Sequence, residues 1–129
     1  MAGPAAKILV VDDEPSVRQV IGAYLESYGY AAEMATNGHE GLLRFRAGSF
    51  DAVMTDRAMP EMNGDALARA VKAEAPRMPV IMLTGFGDLL NARQDKPSCV
   101  DAVLSKPVRR AELRETLERL TAAALVPAS

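Results

Sequence analysis

The strongest constraint on this chain is a pattern that recurs along it: four short apolar runs, each stopping on a reactive polar group. Ile8 to Val11 stops at Asp12 and Asp13, Ala52 to Thr55 at Asp56, Val80 to Leu83 at Thr84, and Ala102 to Leu104 runs through Ser105 to Lys106. Uninterrupted apolar runs this short fit strands buried on both faces, the condition of a parallel sheet covered by helices. Parallel neighbours point their carboxyl ends the same way, into the crevice where open α/β sheets place their ligands. Three carboxylates, a hydroxyl and an ammonium then converge at one end of the sheet.

The segments between the runs carry helical periodicity. Val17, Val20, Ile21, Tyr24, Leu25 and Tyr28 recur at steps of three and four and predict an apolar stripe on a first helix, with Pro15 in its first turn and Gly29 at its exit. Ala31 to Ala35 is the least apolar strand and is expected at a sheet edge, and Asn37 and Gly38 lead from it into a helix carrying Leu42, Leu43 and Phe45. A third helix opens at Asn63 or Gly64 and must finish near Pro76, since proline disfavours helical geometry in the residue before it. Phe86, Leu89 and Leu90 imply a further helix that Lys96 and Pro97 cut short, and a last helix runs from about Arg109 to Ala124 with Leu113, Leu117 and Leu120 on one face. With 129 residues and 49% hydrophobic content the chain fits one domain, built as a doubly wound (βα)5 unit over 7–124, with 1–6 and 125–129 as tails.

A net charge of -2, with Lys and Arg dispersed, gives no electrostatic footprint for direct nucleic-acid binding. No apolar stretch approaches the about 18 residues of a spanning helix, and Met1 to Ala6 lacks the regions of a signal peptide, so membrane insertion is not expected. Cys99 is the only cysteine, which excludes an internal disulfide and a thiolate zinc site and makes a cytoplasmic setting the expectation.

Crowding Asp12, Asp13 and Asp56 into one crevice raises carboxyl pKa values or demands a counter-ion. A hard divalent cation answers that demand, and Mg²⁺ (or Mn²⁺), which takes one or two carboxylates and keeps waters, suits an open acidic cluster better than Ca²⁺ does. His39 stands alone and is expected to be solvated on the second helix. With a cation bound, Asp56 becomes a plausible nucleophile for phosphoryl transfer, Lys106 a donor to one phosphoryl oxygen and Thr84 to another. Singly each residue has an ordinary reading: Asp12 or Asp13 as a helix cap, Thr84 as a turn residue, Lys106 as surface charge before Pro107. Jointly, four consecutive strand ends meeting one set of chemical requirements favours the site.

The segments ILVVDDEP, VMTDRAMPEMNG, VIMLTG and VLSKPV together closely resemble the receiver domain of two-component response regulators, over nearly the whole chain. The resemblance implies a CheY-like, flavodoxin-like fold with a five-stranded parallel sheet in the order 2-1-3-4-5. It implies Asp56 as the phosphoacceptor, Mg²⁺ held by Asp13, Asp56 and the backbone carbonyl of Ala58 with Asp12 assisting through water, and Thr84 and Lys106 on the phosphoryl oxygens. It also implies a cis bond between Lys106 and Pro107. The implied partner is a sensor histidine kinase or a histidine phosphotransfer protein, with the domain catalysing much of the transfer itself rather than acting as a dedicated enzyme.

Two positions depart from the family pattern. Val103 stands where the family's switch carries an aromatic ring, and Ala58 offers no polar side chain to orient water, so an altered dephosphorylation rate is expected. GFGD and VDAVLSKPV resemble receivers attached to hybrid sensor histidine kinases, with a single-domain regulator as the competitor; a homodimer or an attached kinase domain both fit. Other classes fit less well: a haloacid-dehalogenase-like phosphatase wants an acid where Ala58 stands, a flavodoxin-like FMN carrier wants a phosphate loop where DDEPSV stands, and a pseudo-receiver would not need the intact acids, Thr84 and Lys106.

Overall fold

The computed structural model describes residues 6–85 and 99–125. The expected helix around Phe86, Leu89, Leu90, Lys96 and Pro97 lies outside them. The elements are β1 (Lys7–Val11), α1 (Pro15–Ser27), β2 (Ala31–Ala35), α2 (Gly38–Ala47), β3 (Ala52–Asp56), α3 (Gly64–Glu74), β4 (Val80–Thr84), β5 (Ala102–Ser105) and α4 (Arg110–Leu125). All strand pairs are parallel and the order is β2-β1-β3-β4-β5, which places the least apolar strand at an edge as its composition required.

The two-residue period of the strands divides the core between the faces of the sheet. Ile8, Val10, Met54, Ile81 and Leu83 pack on one face with Ile21 and Leu25 of α1 and Leu113 and Leu117 of α4. Leu9, Val11, Val53, Val80 and Met82 pack on the other with Phe45 of α2 and Leu67 and Val71 of α3. Every residue of β3 and β4 is buried, the outcome expected of central strands covered on both sides.

Local signals at the helix ends act as their chemistry requires. Asn37 and Asn63 cap α2 and α3, their side chains accepting the amides of Glu40 and Ala66 at 2.8 Å each. Helix α3 ends at Glu74, ahead of Pro76, and Gly29 leaves α1 with φ 85°, a conformation that favours glycine.

The predicted stripe on α1 is too wide. Ile21 and Leu25 are buried and Val17 and Tyr24 partly so, but Val20 is 45% exposed. Leu43 on α2, at 67% exposed, likewise points outward although Phe45 is buried. Periodicity locates a face but not its width, which depends on how closely the sheet approaches.

Candidate functional site

The order β2-β1-β3 reverses direction at β1, and the carboxyl ends of β1 and β3 flank that switch point. Register does the rest. Val11 lies opposite Thr55, Asp56 opposite Leu83, and Thr84 opposite Ser105, so Asp12, Asp56, Thr84 and Lys106 reach one rim from adjacent strands.

Carboxylate oxygens of Asp12, Asp13 and Asp56 lie within 4.8 Å of one another. Asp12 is fully buried, Asp56 is 5% exposed, and Asp13 faces solvent. Two groups hold the acid turn in place: Asp12 Oδ1 accepts the Glu14 amide at 2.9 Å, and Arg18 Nη1 donates to the Asp12 carbonyl at 2.6 Å. Asp12 and Asp13 therefore do not cap α1, whose N-cap is Glu14.

Lys106 is a partner of the acids and not a surface charge. Its Nζ lies 3.0 Å from Asp12 Oδ2, 3.1 Å from Asp56 Oδ1 and 3.5 Å from Glu14 Oε1. Burial would by itself lower the Lys106 pKa, but its contacts with Asp12 and then Asp56 outweigh that, and the net direction is up. For Asp56 burial comes first and raises the carboxyl pKa; Lys106 opposes, while Asp12 and Asp13 reinforce the rise. The site thus holds a protonated amine among acids of which one ionises reluctantly.

Two buried oxygens of the crevice lack hydrogen bonds. Thr84 Oγ1 has no partner, and Asp12 Oδ2, though within ion-pair distance of Lys106, is out of hydrogen-bond alignment. Orphaned buried polar atoms cost stability unless a ligand satisfies them. A hard cation beside the acids and an anionic oxygen beside Thr84 would do so, and the all-oxygen donor set fits Mg²⁺. Ala58, two residues past Asp56, is exposed, and the Lys106–Pro107 bond is cis.

Val103 is half-buried and faces the α2 and α3 side of the sheet, opposite Met82. His39 is exposed, 3.8 Å from Glu61, and Cys99 is half-buried against the same core as Val103; neither joins the site. Sequence reasoning missed Glu14 and Arg18. The signals were present: a glutamate directly after the acid pair at a poor capping position, and an arginine one helical turn beyond it.

Helix α3 begins hard against the carboxyl end of β3. The Gly64 amide donates to the Arg57 carbonyl at 2.9 Å, and a Cβ at Gly64 would collide with the Asp56 carbonyl oxygen and sit 2.8 Å from Arg57 Cα. Gly64→Ala is expected to cost about 1–3 kcal/mol, as overpacking does, because backbone rather than a flexible side chain must yield. Urea denaturation checks it; a variant as stable as the wild type would mean the helix start moves freely.

The family model for the response regulator receiver domain matches residues 8–118. The transcriptional regulatory protein ZraR of Salmonella typhimurium is 36% identical over 115 residues, which are 89% of this chain and 26% of that protein. The chain thus spans about a quarter of the length of such relatives. Among solved structures, a response regulator receiver domain protein from Clostridium thermocellum is 38% identical with a TM-score of 0.84, covering 92% of this chain and 95% of its own. The signal receiver domain of a signal transduction histidine kinase from Syntrophus aciditrophicus is 30% identical with a TM-score of 0.84, covering 97% and 96%. Sheet order, acid crevice and a family match running from β1 into α4 agree, and the chain belongs to the response regulator receiver domains of two-component signalling.

Proposed function

We propose that Asp56 accepts a phosphoryl group from a phosphohistidine of a sensor histidine kinase or histidine phosphotransfer protein. The observation that supports this reading is the convergence on Asp56 of two further acids and the Lys106 ammonium, with the unpartnered Thr84 hydroxyl at the end of the neighbouring strand. An Asp56 carboxylate oxygen forms a bond to phosphorus, the phosphorus–nitrogen bond of the donor breaks, and the imidazole leaves with the electron pair. Desolvation, which raises the carboxyl pKa, also makes the ionised form a stronger nucleophile. Asp12, Asp13, Asp56 and the Ala58 carbonyl would hold Mg²⁺, which when bound supplies charge neutralisation for the phosphoryl group. Lys106 and Thr84 then donate to separate phosphoryl oxygens. Incubation with acetyl phosphate, with and without Mg²⁺, tests the proposal by intact-mass spectrometry: one phosphoryl increment is expected with the cation, and none in either condition would refute it.

The donor's docking face is proposed beside Lys106. Val17, Val20, Ile21, Lys106, Pro107 and Val108 line a mostly apolar groove of about 210 Å³. Exposed Val20 would meet an apolar helix face there. Val20→Glu is expected to slow transfer from the phosphorylated donor about tenfold, as loss of a modest interface anchor does, and to slow transfer from acetyl phosphate less. Equal slowing with both donors would place the docking face elsewhere. No helix among the described residues is long and apolar enough to cross a membrane, and a cytoplasmic setting accords with the proposed partners.

A further inference from the structure

Lys106 meets three carboxylates, and the two inner ones belong to acids of the cluster that could also hold a divalent cation. Asp12 and Asp56 lie in the buried floor, whereas the third partner, Glu14, is at the mouth with a side chain 59% exposed. Glu14 is also an unusual N-cap. Its backbone is extended, at φ -97° and ψ 116°, yet its side chain makes no capping hydrogen bond to α1. N-cap positions favour short side chains such as Asp, Asn, Ser and Thr, which reach the free amides of the first turn. The Glu14 carboxylate is directed instead at Lys106, 92 residues away in sequence. Its backbone is held there by the same acid that Lys106 contacts, since the Glu14 amide donates to Asp12 Oδ1.

Resting on the metal-binding reading above, we propose that Glu14 is a positioning residue for Lys106, drawing the ammonium toward the mouth of the crevice and weakening its competition with a divalent cation for Asp12 and Asp56. Side-chain length decides the effect, because the anchored backbone sets the distance to be spanned. Glu reaches Lys106; Asp, one methylene shorter, does not, and it is free to cap the helix. Without the outer carboxylate, the ammonium settles more firmly on the inner pair and a cation finds those oxygens already engaged.

Calorimetric titration with Mg²⁺ of the wild type, Glu14→Asp and Glu14→Gln tests this without recourse to phosphorylation. Both variants are expected to bind Mg²⁺ about two- to fivefold more weakly, the range of a partly exposed ion pair. Adding Glu14→Asp to a Lys106→Met background is expected to change nothing, since no ammonium is left to position. Wild-type affinity in Glu14→Asp together with weaker binding in Glu14→Gln would overturn the inference, by showing that Glu14 acts through its charge alone. A Glu14→Asp effect of full size in the Lys106→Met background would also overturn it. Should Lys106→Met fail to fold, the two Glu14 variants decide by themselves. Absence of saturable Mg²⁺ binding in the wild type would instead remove the metal-binding reading, and the inference with it.

Discussion

Asp56→Ala is expected to abolish the phosphoryl mass increment with either acetyl phosphate or a phosphohistidine donor, while Asp56→Asn is expected to raise the thermal midpoint at pH 7. The first effect follows from chemistry: an alanine has no oxygen to bond to phosphorus. The second follows from the crowding of the site. Burial, reinforced by Asp12 and Asp13 and only partly offset by Lys106, holds the Asp56 carboxyl above its ordinary pKa. A carboxyl whose folded-state pKa exceeds its unfolded value binds its proton more readily in the folded state. Stability therefore falls as pH rises through that window, and the deficit persists at pH 7. Asparagine removes the charge and the deficit, and its advantage shrinks as pH falls toward the ordinary Asp value of about 3.9. Mass spectrometry checks the first expectation and melting curves across pH the second. An increment that survives in Asp56→Ala, or an asparagine variant that melts lower at pH 7, would contradict them.

Lys106→Met is expected to destabilise the domain at pH 7 by about 3 kcal/mol, the lower end for removing one partner of a buried ion pair. The lower end applies because the Lys106 side chain retains 17% exposure. Without the ammonium, the burial and the neighbouring acids that already raise the Asp56 pKa act unopposed, and that carboxyl binds its proton still more readily in the folded state. The deficit is thus largest near neutrality and shrinks as acidification protonates Asp56. Mg²⁺ is expected to stabilise the variant more than the wild type, since it can supply the missing positive charge by binding the folded state alone. Urea denaturation at two pH values, with and without Mg²⁺, measures all three effects. A variant as stable as the wild type at pH 7 would mean that water compensates the acids.

The fold was legible in the chain to an unusual degree because its signals are local. Alternate residues of Ile8, Leu9, Val10 and Val11 face opposite sides of the sheet, as any extended strand requires, and both sides prove to be core. Asn63 and Pro76 bracket α3 through capping chemistry and backbone sterics that act within a few residues. The exposure of Val20, against the expected stripe, has a physical cause. An apolar residue at the margin of a helical stripe is buried only if the sheet comes near enough to cover it, and helical period carries no information on that distance.

The strand-end pattern that recurs along the chain picked out the polar residues that meet at one rim of the sheet, since residue type and position at a strand terminus are properties of sequence alone. Asp12, Asp13, Asp56, Thr84 and Lys106 could be chosen without coordinates. Their division of labour could not. Burial leaves Asp13 in solvent and seals Asp12, the parallel register sets Lys106 between Asp12 and Asp56, and the turn held by Arg18 aims Glu14 at that same lysine. Desolvation and Coulomb interactions depend on what lies within a few ångströms, and here that neighbourhood is assembled from opposite ends of the chain.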